Sequence, residues 1–292
     1  MPTPENKPPE RKKTTPADLL AKKQRGEKIV RITCYDYPMA LLADRAGVDA
    51  ILVGDSCGMV VAGLKSTVPV TMEEMIYHCG AVSRAARYAM VIGDLPFLSY
   101  QTDVKDAIYN AGRLVKEGGA DVVKLEGGQD FAPTVRAIVK AGIPVVGHIG
   151  ITPQSAAMTG GFKVQGADVA TGLRLIEDAK ALEAAGAFML TVEGAPDRLA
   201  ELICRELTIP VTTMGAGPNT DGQTINMYDI LGLFDRFTPK FVKKYANLAE
   251  VIVQALQQYR QEVETGVYPG PEQTYHMKDE VFQAILEQRS GR

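Results

Sequence analysis

Along the chain, short and nearly continuous apolar runs alternate with amphipathic stretches of helical period. Three segments share one grammar: residues 46–55, 118–127 and 185–194 each carry a helical pattern that stops at a glycine (Gly47, Gly119, Gly186), then an apolar run, then a carboxylate. Glycine tolerates the left-handed cap that ends a helix. The closing carboxylates are Asp55, Glu126 and Glu193. Four more runs fit: 29–34 before Asp36, 90–93 before Asp94, 143–146 before His148, and 209–214 before Gly215. Helical patterns lie between them at 71–86, where Thr71 and Glu74 form a capping-box pair, and at 102–117 and 167–185. Apolar strands alternating with amphipathic helices are what a parallel sheet covered by helices requires. Seven units are clear, and the polar stretch 240–245 is the expected eighth strand. Eight units close an α/β (β/α)8 TIM barrel. An open doubly wound sheet is the runner-up, but Tyr35-Asp36-Tyr37-Pro38 stands where such a sheet carries a glycine-rich nucleotide turn. Residues 248–263 and 277–288 read as additional terminal helices, suited to closing the barrel's base or joining subunits.

Composition narrows the partners. The 292 residues are 46% hydrophobic and 23% charged, an ordinary globular balance. Area scaling lets a chain of this mass bury about 73% of its extended surface, so one large domain is feasible. The expected layout is a solvated tail over residues 1–14, with the basic cluster Arg11, Lys12 and Lys13, and a single barrel domain over 15–292 that includes the C-terminal helices. A net charge of −3 provides no positive field for nucleic acid or anionic lipid, so neither is an expected partner. No apolar run reaches the ~18 residues of a membrane span, and residues 1–30 lack the apolar centre of a secretory signal; a cytoplasmic location is expected. Cys34, Cys57, Cys79 and Cys204 form no CxxC pair and read as buried thiols rather than disulfides or a zinc cage.

In a barrel the C-terminal strand ends meet at one mouth, here with Asp36, Asp55, Ser56, Asp94, Lys124, Glu126, His148 and Glu193 as candidates. Charges directly after buried runs are costly unless paired or bound to a metal. Asp36 alone reads as a helix cap or a structural salt bridge. Asp55, Asp94, Glu126 and Glu193 together would repel one another, and an oxygen-only donor set favours Mg²⁺ over zinc. Residues 54–58 match the G-x-S-x-G elbow of α/β-hydrolases, but a helix must start at that serine and 59–64 reads as β-like or loop. Residues 215–223 could cradle an anion, yet no Lys-Ser/Thr pair follows, and they read as a strand-7 loop lining the mouth. His78 and His276 read as helical surface or packing, whereas His148 sits at a strand end with the carboxylates.

These residues resemble the ketopantoate hydroxymethyltransferase family. The segments that carry the likeness are 53–56, 66–71, 93–97, 123–128, 147–154, 160–166, and 215–218 leading to Asp221-Gly222-Gln223, in order across roughly residues 15 to 266. The resemblance implies a barrel of the phosphoenolpyruvate mutase/isocitrate lyase type assembled as a decamer. It implies transfer of a hydroxymethyl group from 5,10-methylenetetrahydrofolate to 3-methyl-2-oxobutanoate, giving 2-dehydropantoate in pantothenate biosynthesis through a Mg²⁺-stabilised enolate. By position it makes Asp55 and Asp94 the direct Mg²⁺ ligands and brings Glu126 close through water. Ser56 and Lys124 would hold the substrate carboxylate, and His148 would contact the added hydroxymethyl group. Glu193 would be the base, and the loop 160–166 would help cover the site.

The chain departs from the family pattern at Cys57, at Gly194-Ala195 and at Asn219-Thr220, none of them an implied catalytic group. A Mg²⁺-dependent carbon-carbon lyase or mutase on a related barrel is a competing reading, in which Cys57 would have to be the reactive lid cysteine. A catalytically silent barrel serving as a binding scaffold is another. It has no need of the clustered charges.

Overall fold

The computed structural model describes residues 11–159, 161 and 163–291. Within them the chain divides into two compact units that meet in sequence at Tyr245 and Ala246. The first is a closed barrel of eight parallel strands in sequential order. Its elements are α1 (Pro16–Gln24), β1 (Ile29–Thr33), α2 (Tyr37–Ala46), β2 (Ala50–Val53), α3 (Cys57–Val60), α4 (Met72–Ala85) and β3 (Met90–Asp94). They continue with α5 (Val104–Lys116), β4 (Val122–Glu126), α6 (Ala132–Lys140), β5 (Val145–Gly150), α7 (Ala156–Thr159), α8 (Val169–Ala184) and β6 (Met189–Glu193). The barrel closes with α9 (Asp197–Glu206), β7 (Val211–Met214), β8 (Gly222–Asn226) and α10 (Met227–Ile230). The second unit contains α11 (Leu248–Glu264) and α12 (Asp279–Ser290), neither of which holds a buried residue.

Seven strands fall where the apolar runs predict them. The eighth does not. β8 is Gly222–Asn226, paired with β1 from Ile29↔Gly222 to Thr33↔Asn226 and with β7 at Thr212↔Gly222. Residues 240–245 form turns and irregular backbone instead, with Lys240, Lys243 and Lys244 leaving them without an apolar face to bury. β8 escapes a hydropathy pattern because its buried positions are Gly222, Thr224 and Asn226.

Local signals start and stop the helices as expected. Thr71 accepts from Glu74 N–H while the Glu74 carboxylate takes the Thr71 N–H, opening α4. Asp36 is the cap of α2, accepting from Met39 N–H at 2.9 Å, and Gly47 ends that helix at φ 91°. Two cores result. One fills the space between strands and helices, and the other fills the barrel with Ile29, Ala50, Leu52, Met90, Ile92, Val122, Val146 and Met189. Leu19 of α1 belongs to this inner core and is fully buried, so α1 plugs the end of the barrel where the strands begin. Lys22 bonded to Asp49 at 2.6 Å and Lys23 bonded to Asp221 at 2.9 Å fasten the plug.

Part of the expected N-terminal tail is tied down. Arg11 Nη1 donates to the Asp44 carbonyl at 2.6 Å, Lys13 pairs with Asp121 at 2.9 Å, and Thr14 N–H donates to the Tyr88 carbonyl at 2.7 Å. Residues 1–10 lie outside the described residues. Among those described, no helix is long and apolar enough to cross a membrane. All four cysteines are free and buried.

Candidate active site

The strand register brings the expected residues together. Asp94 on β3 lies beside Lys124 on β4, Glu126 on β4 beside His148 on β5, and Glu193 on β6 beside Gly150 of β5. Lys124 and Glu126 are two residues apart in one strand and therefore share the inner face. Asp55 and Ser56 follow β2, in the turn that opens α3. All seven line one cavity of about 750 Å³ at the mouth, together with Arg31, Asn226, Val164, Lys240 and Phe241 among others. Asp36 caps its helix, and its second oxygen accepts from the Tyr228 hydroxyl. In the expected covering loop, Val164 reaches the cavity and Gln165 N–H donates to the Gly194 carbonyl at 3.0 Å; residues 160 and 162 lie outside the described residues.

Burial governs the charges. Lys124 Nζ spans both oxygens of Asp94 at 2.8 Å and approaches Glu126 at 3.5 Å, with every partner almost wholly buried. Burial works against the Lys124 charge, but Asp94, Glu126 and Asp55 outweigh it and hold the ammonium above its usual range. Burial, with the charges of Asp94 and Glu126, pushes Asp55 up to about 8. Asp94 is raised as well, mainly by burial. Burial would also raise Glu126, but Lys124 and His148 more than offset it, and its pKa is lowered. His148 lies 3.4 Å from Glu126 and 3.3 Å from Glu193, close enough for ion pairs, yet both ring nitrogens are too poorly aligned to hydrogen-bond. Burial and Lys124 push its pKa down, and the two carboxylates more than reverse that. Glu193 is the most accessible acid, with 14% of its side chain exposed.

Among the described residues no three acid, histidine or cysteine side chains converge as a ready-made metal cage. Mg²⁺ does not need one. It commonly takes one or two carboxylates and completes its shell with water and substrate oxygens. Asp55 and Asp94 lie side by side, the Asp55 N–H donating to Asp94 Oδ2 at 3.3 Å and the Asp94 charge raising the Asp55 pKa, and so supply two neighbouring oxygen donors. The donor set fits the ion.

Sequence reasoning missed four residues here. Gln154 donates from Nε2 to Asp55 at 2.9 Å and from its backbone N–H to Glu126 at 3.0 Å, holding two acids apart with one residue. Tyr100 donates to Gln154 Oε1 at 2.7 Å. Arg31 lies inside the barrel, 1% exposed, bonded to Thr224 at 2.6 Å and Thr191 at 2.7 Å, while its Nη1 has no partner. Burial pulls this guanidinium down to about 10, against Asp94 and Glu193, so it stays charged at neutral pH. A lone arginine inside the apolar run 29–34 was the available signal. Tyr35, wholly buried, bonds Ser56 Oγ at 2.9 Å.

The hydrolase elbow fails for a different reason from the one expected. A single helical turn, α3, does begin just after Ser56, because Val60 N–H and Val61 N–H find the Ser56 and Cys57 carbonyls. The partner of Ser56 Oγ, however, is a tyrosine hydroxyl and not a histidine base. Cys57 makes a poor nucleophile: burial, then the charges of Asp55 and Asp94, push its thiol up to about 12.

Known proteins match the chain in sequence and in fold. The family model described as ketopantoate hydroxymethyltransferase covers residues 13–271. The chain belongs to the ketopantoate hydroxymethyltransferase family. It is 60% identical over 266 residues to the 3-methyl-2-oxobutanoate hydroxymethyltransferase of Moorella thermoacetica, covering 91% of this chain and 99% of that one. The enzyme of the same name from Enterococcus faecalis is 51% identical over 273 residues, covering 94% and 99%. Among solved structures, phosphonopyruvate hydrolase in complex with oxalate and Mg²⁺ superposes with a TM-score of 0.59 at 14% identity, covering 95% of this chain and 97% of that one. 2,3-Dimethylmalate lyase, a phosphoenolpyruvate mutase/isocitrate lyase superfamily member, does so at 0.57 and 16%, covering 95% and 96%. These distant neighbours share the barrel, and the ketopantoate hydroxymethyltransferase relatives share the chain nearly end to end.

Proposed function

We propose that the chain transfers a hydroxymethyl group from 5,10-methylenetetrahydrofolate to 3-methyl-2-oxobutanoate, giving 2-dehydropantoate, as its family does. The observation that carries the reading is the buried pairing of Lys124 with Asp94 beside Asp55, facing the accessible Glu193 across one cavity. Such a site recognises a 2-oxo acid and takes a proton next to its keto group.

Asp55 and Asp94 would hold Mg²⁺ directly, with Glu126 near it through water. The ion, when bound, supplies positive charge where the keto oxygen becomes negative. Lys124, a compact cation fixed by its neighbours, and Ser56 hold the substrate carboxylate. Glu193 removes the proton from C3, the carbon beside the ketone, and general-base help of this kind is typically ~10² to 10⁴-fold in rate. His148 between Glu126 and Glu193 faces the incoming one-carbon unit. The C3 carbanion forms the new carbon-carbon bond, water supplies the hydroxyl oxygen, and tetrahydrofolate leaves.

By family likeness we also infer a cytoplasmic enzyme with small-molecule partners, working as a homo-oligomer, a decamer. The test is to supply 3-methyl-2-oxobutanoate, Mg²⁺ and 5,10-methylenetetrahydrofolate and to look for 2-dehydropantoate. No product from folded protein, or turnover that survives exhaustive chelation, contradicts the proposal.

A further inference from the structure

Behind Ser56 runs a chain of hydrogen bonds whose direction can be worked out atom by atom. It starts at α10. The backbone N–H of Tyr228 can only donate, and it donates to Asn226 Oδ1 at 3.0 Å. That fixes the amide, so the group turned toward Tyr35 is the Asn226 Nδ2, which donates to the Tyr35 hydroxyl at 2.7 Å. The Tyr35 oxygen is wholly buried and has one hydrogen of its own to place. Its other neighbour is Ser56 Oγ, at 2.9 Å. A buried phenol leaves its proton unpaired only at a cost of about 1–3 kcal/mol, so Tyr35 donates to Ser56. Burial raises the Tyr35 pKa well above its usual value, which keeps that proton in place.

Ser56 Oγ therefore accepts from behind, and its own hydrogen is free to turn into the cavity it lines. We propose that Asn226 and Tyr35 are positioning residues that polarise Ser56, presenting its hydroxyl to the substrate carboxylate as a donor. The proposal deepens the reading above and rests on Ser56 holding that carboxylate. Space around the hydroxyl is restricted too: a Cβ added at Gly54 would lie 3.0 Å from Ser56 Oγ, close enough to press on the hydroxyl.

The experiment uses the full chain with Mg²⁺ and titrates 3-methyl-2-oxobutanoate by calorimetry, without folate. Asn226→Asp is nearly isosteric, but its carboxylate can only accept, so Tyr35 would donate toward position 226 and draw the Ser56 hydrogen backward, away from the cavity. Affinity is expected to fall about tenfold to a hundredfold, the size of one hydrogen bond to a charged group, with Ser56→Ala falling as far. Tyr35→Phe, which keeps the ring, takes the donor from behind Ser56 but draws no hydrogen backward, so it is expected to cost a smaller, severalfold loss of affinity, and it covers the case in which Asn226→Asp folds poorly. In turnover each variant raises KM more than it lowers kcat.

A double-mutant cycle separates the relay from a simple charge effect. In the Ser56→Ala background, Asn226→Asp and Tyr35→Phe should add nothing. Wild-type affinity in both variants, or their full effect persisting without Ser56, overturns the relay. If Ser56→Ala itself binds as well as wild type, the assignment of Ser56 to the carboxylate fails, and the relay fails with it.

Discussion

The floor and the mouth of the barrel are built from the same strands and obey opposite rules. On β3, Met90 and Ile92 belong to the inner apolar core, and two residues on Asp94 faces the cavity. On β4 the change comes between Val122 and Lys124, on β5 between Val146 and His148, and on β6 between Met189 and Glu193, with Thr191 between them. Strand geometry carries each side chain two residues further along the same face. The floor gains stability by excluding water, whereas the mouth concentrates charges whose desolvation opposes folding. One is where the fold is secured, and the other is where it can do chemistry.

The largest test of that contrast is Glu193→Gln. It is expected to lower kcat by about 10² to 10⁴-fold, with little change in the thermal midpoint, because the residue is the acid most open to water. Ile92→Ala on the floor should behave the other way, costing about 2–5 kcal/mol of stability in denaturant titration while leaving KM of the folded fraction unchanged. If both variants lost activity and stability alike, the division would be wrong.

A pH titration of stability sharpens the contrast. In metal-free protein Asp55 holds its proton up to about 8, far above an unfolded aspartate. The folded state therefore binds more protons than the unfolded state between about pH 4 and pH 8, and Asp55 makes stability fall as pH rises through that window, by at most about 1.4 kcal/mol per pH unit. Mg²⁺ should flatten the slope, as should Asp55→Asn. The smallest effect comes from Thr71→Ala, which removes the cap of α4. It should cost about 1 kcal/mol, and turnover should not change.

Much of this was legible in the sequence, for physical reasons. Seven strands announced themselves because a parallel strand packed on both faces is apolar throughout, and glycines such as Gly186, at φ 100°, marked where each preceding helix ended. β8 was invisible because it presents Thr224 and Asn226 to a barrel interior where Arg31 sits. The charged half of the site was legible because acids and a lysine stand directly after buried runs. Gln154, Tyr100 and Tyr35 were not, since uncharged residues that act by hydrogen bonding leave no local pattern, and only the tertiary fold sets Gln154 between Asp55 and Glu126. Arg31 was readable as a charge inside an apolar run, but its meaning depends on Thr191, 160 residues away.

The central claim is that this mouth removes the C3 proton of a 2-oxo acid. Proton NMR of 3-methyl-2-oxobutanoate in D₂O, with Mg²⁺ and enzyme but no folate, measures that step alone. The C3 hydrogen signal should disappear with wild-type protein and persist with Glu193→Gln. A signal that persists with folded wild-type protein, or exchange as fast in Glu193→Gln as in wild type, would contradict the account.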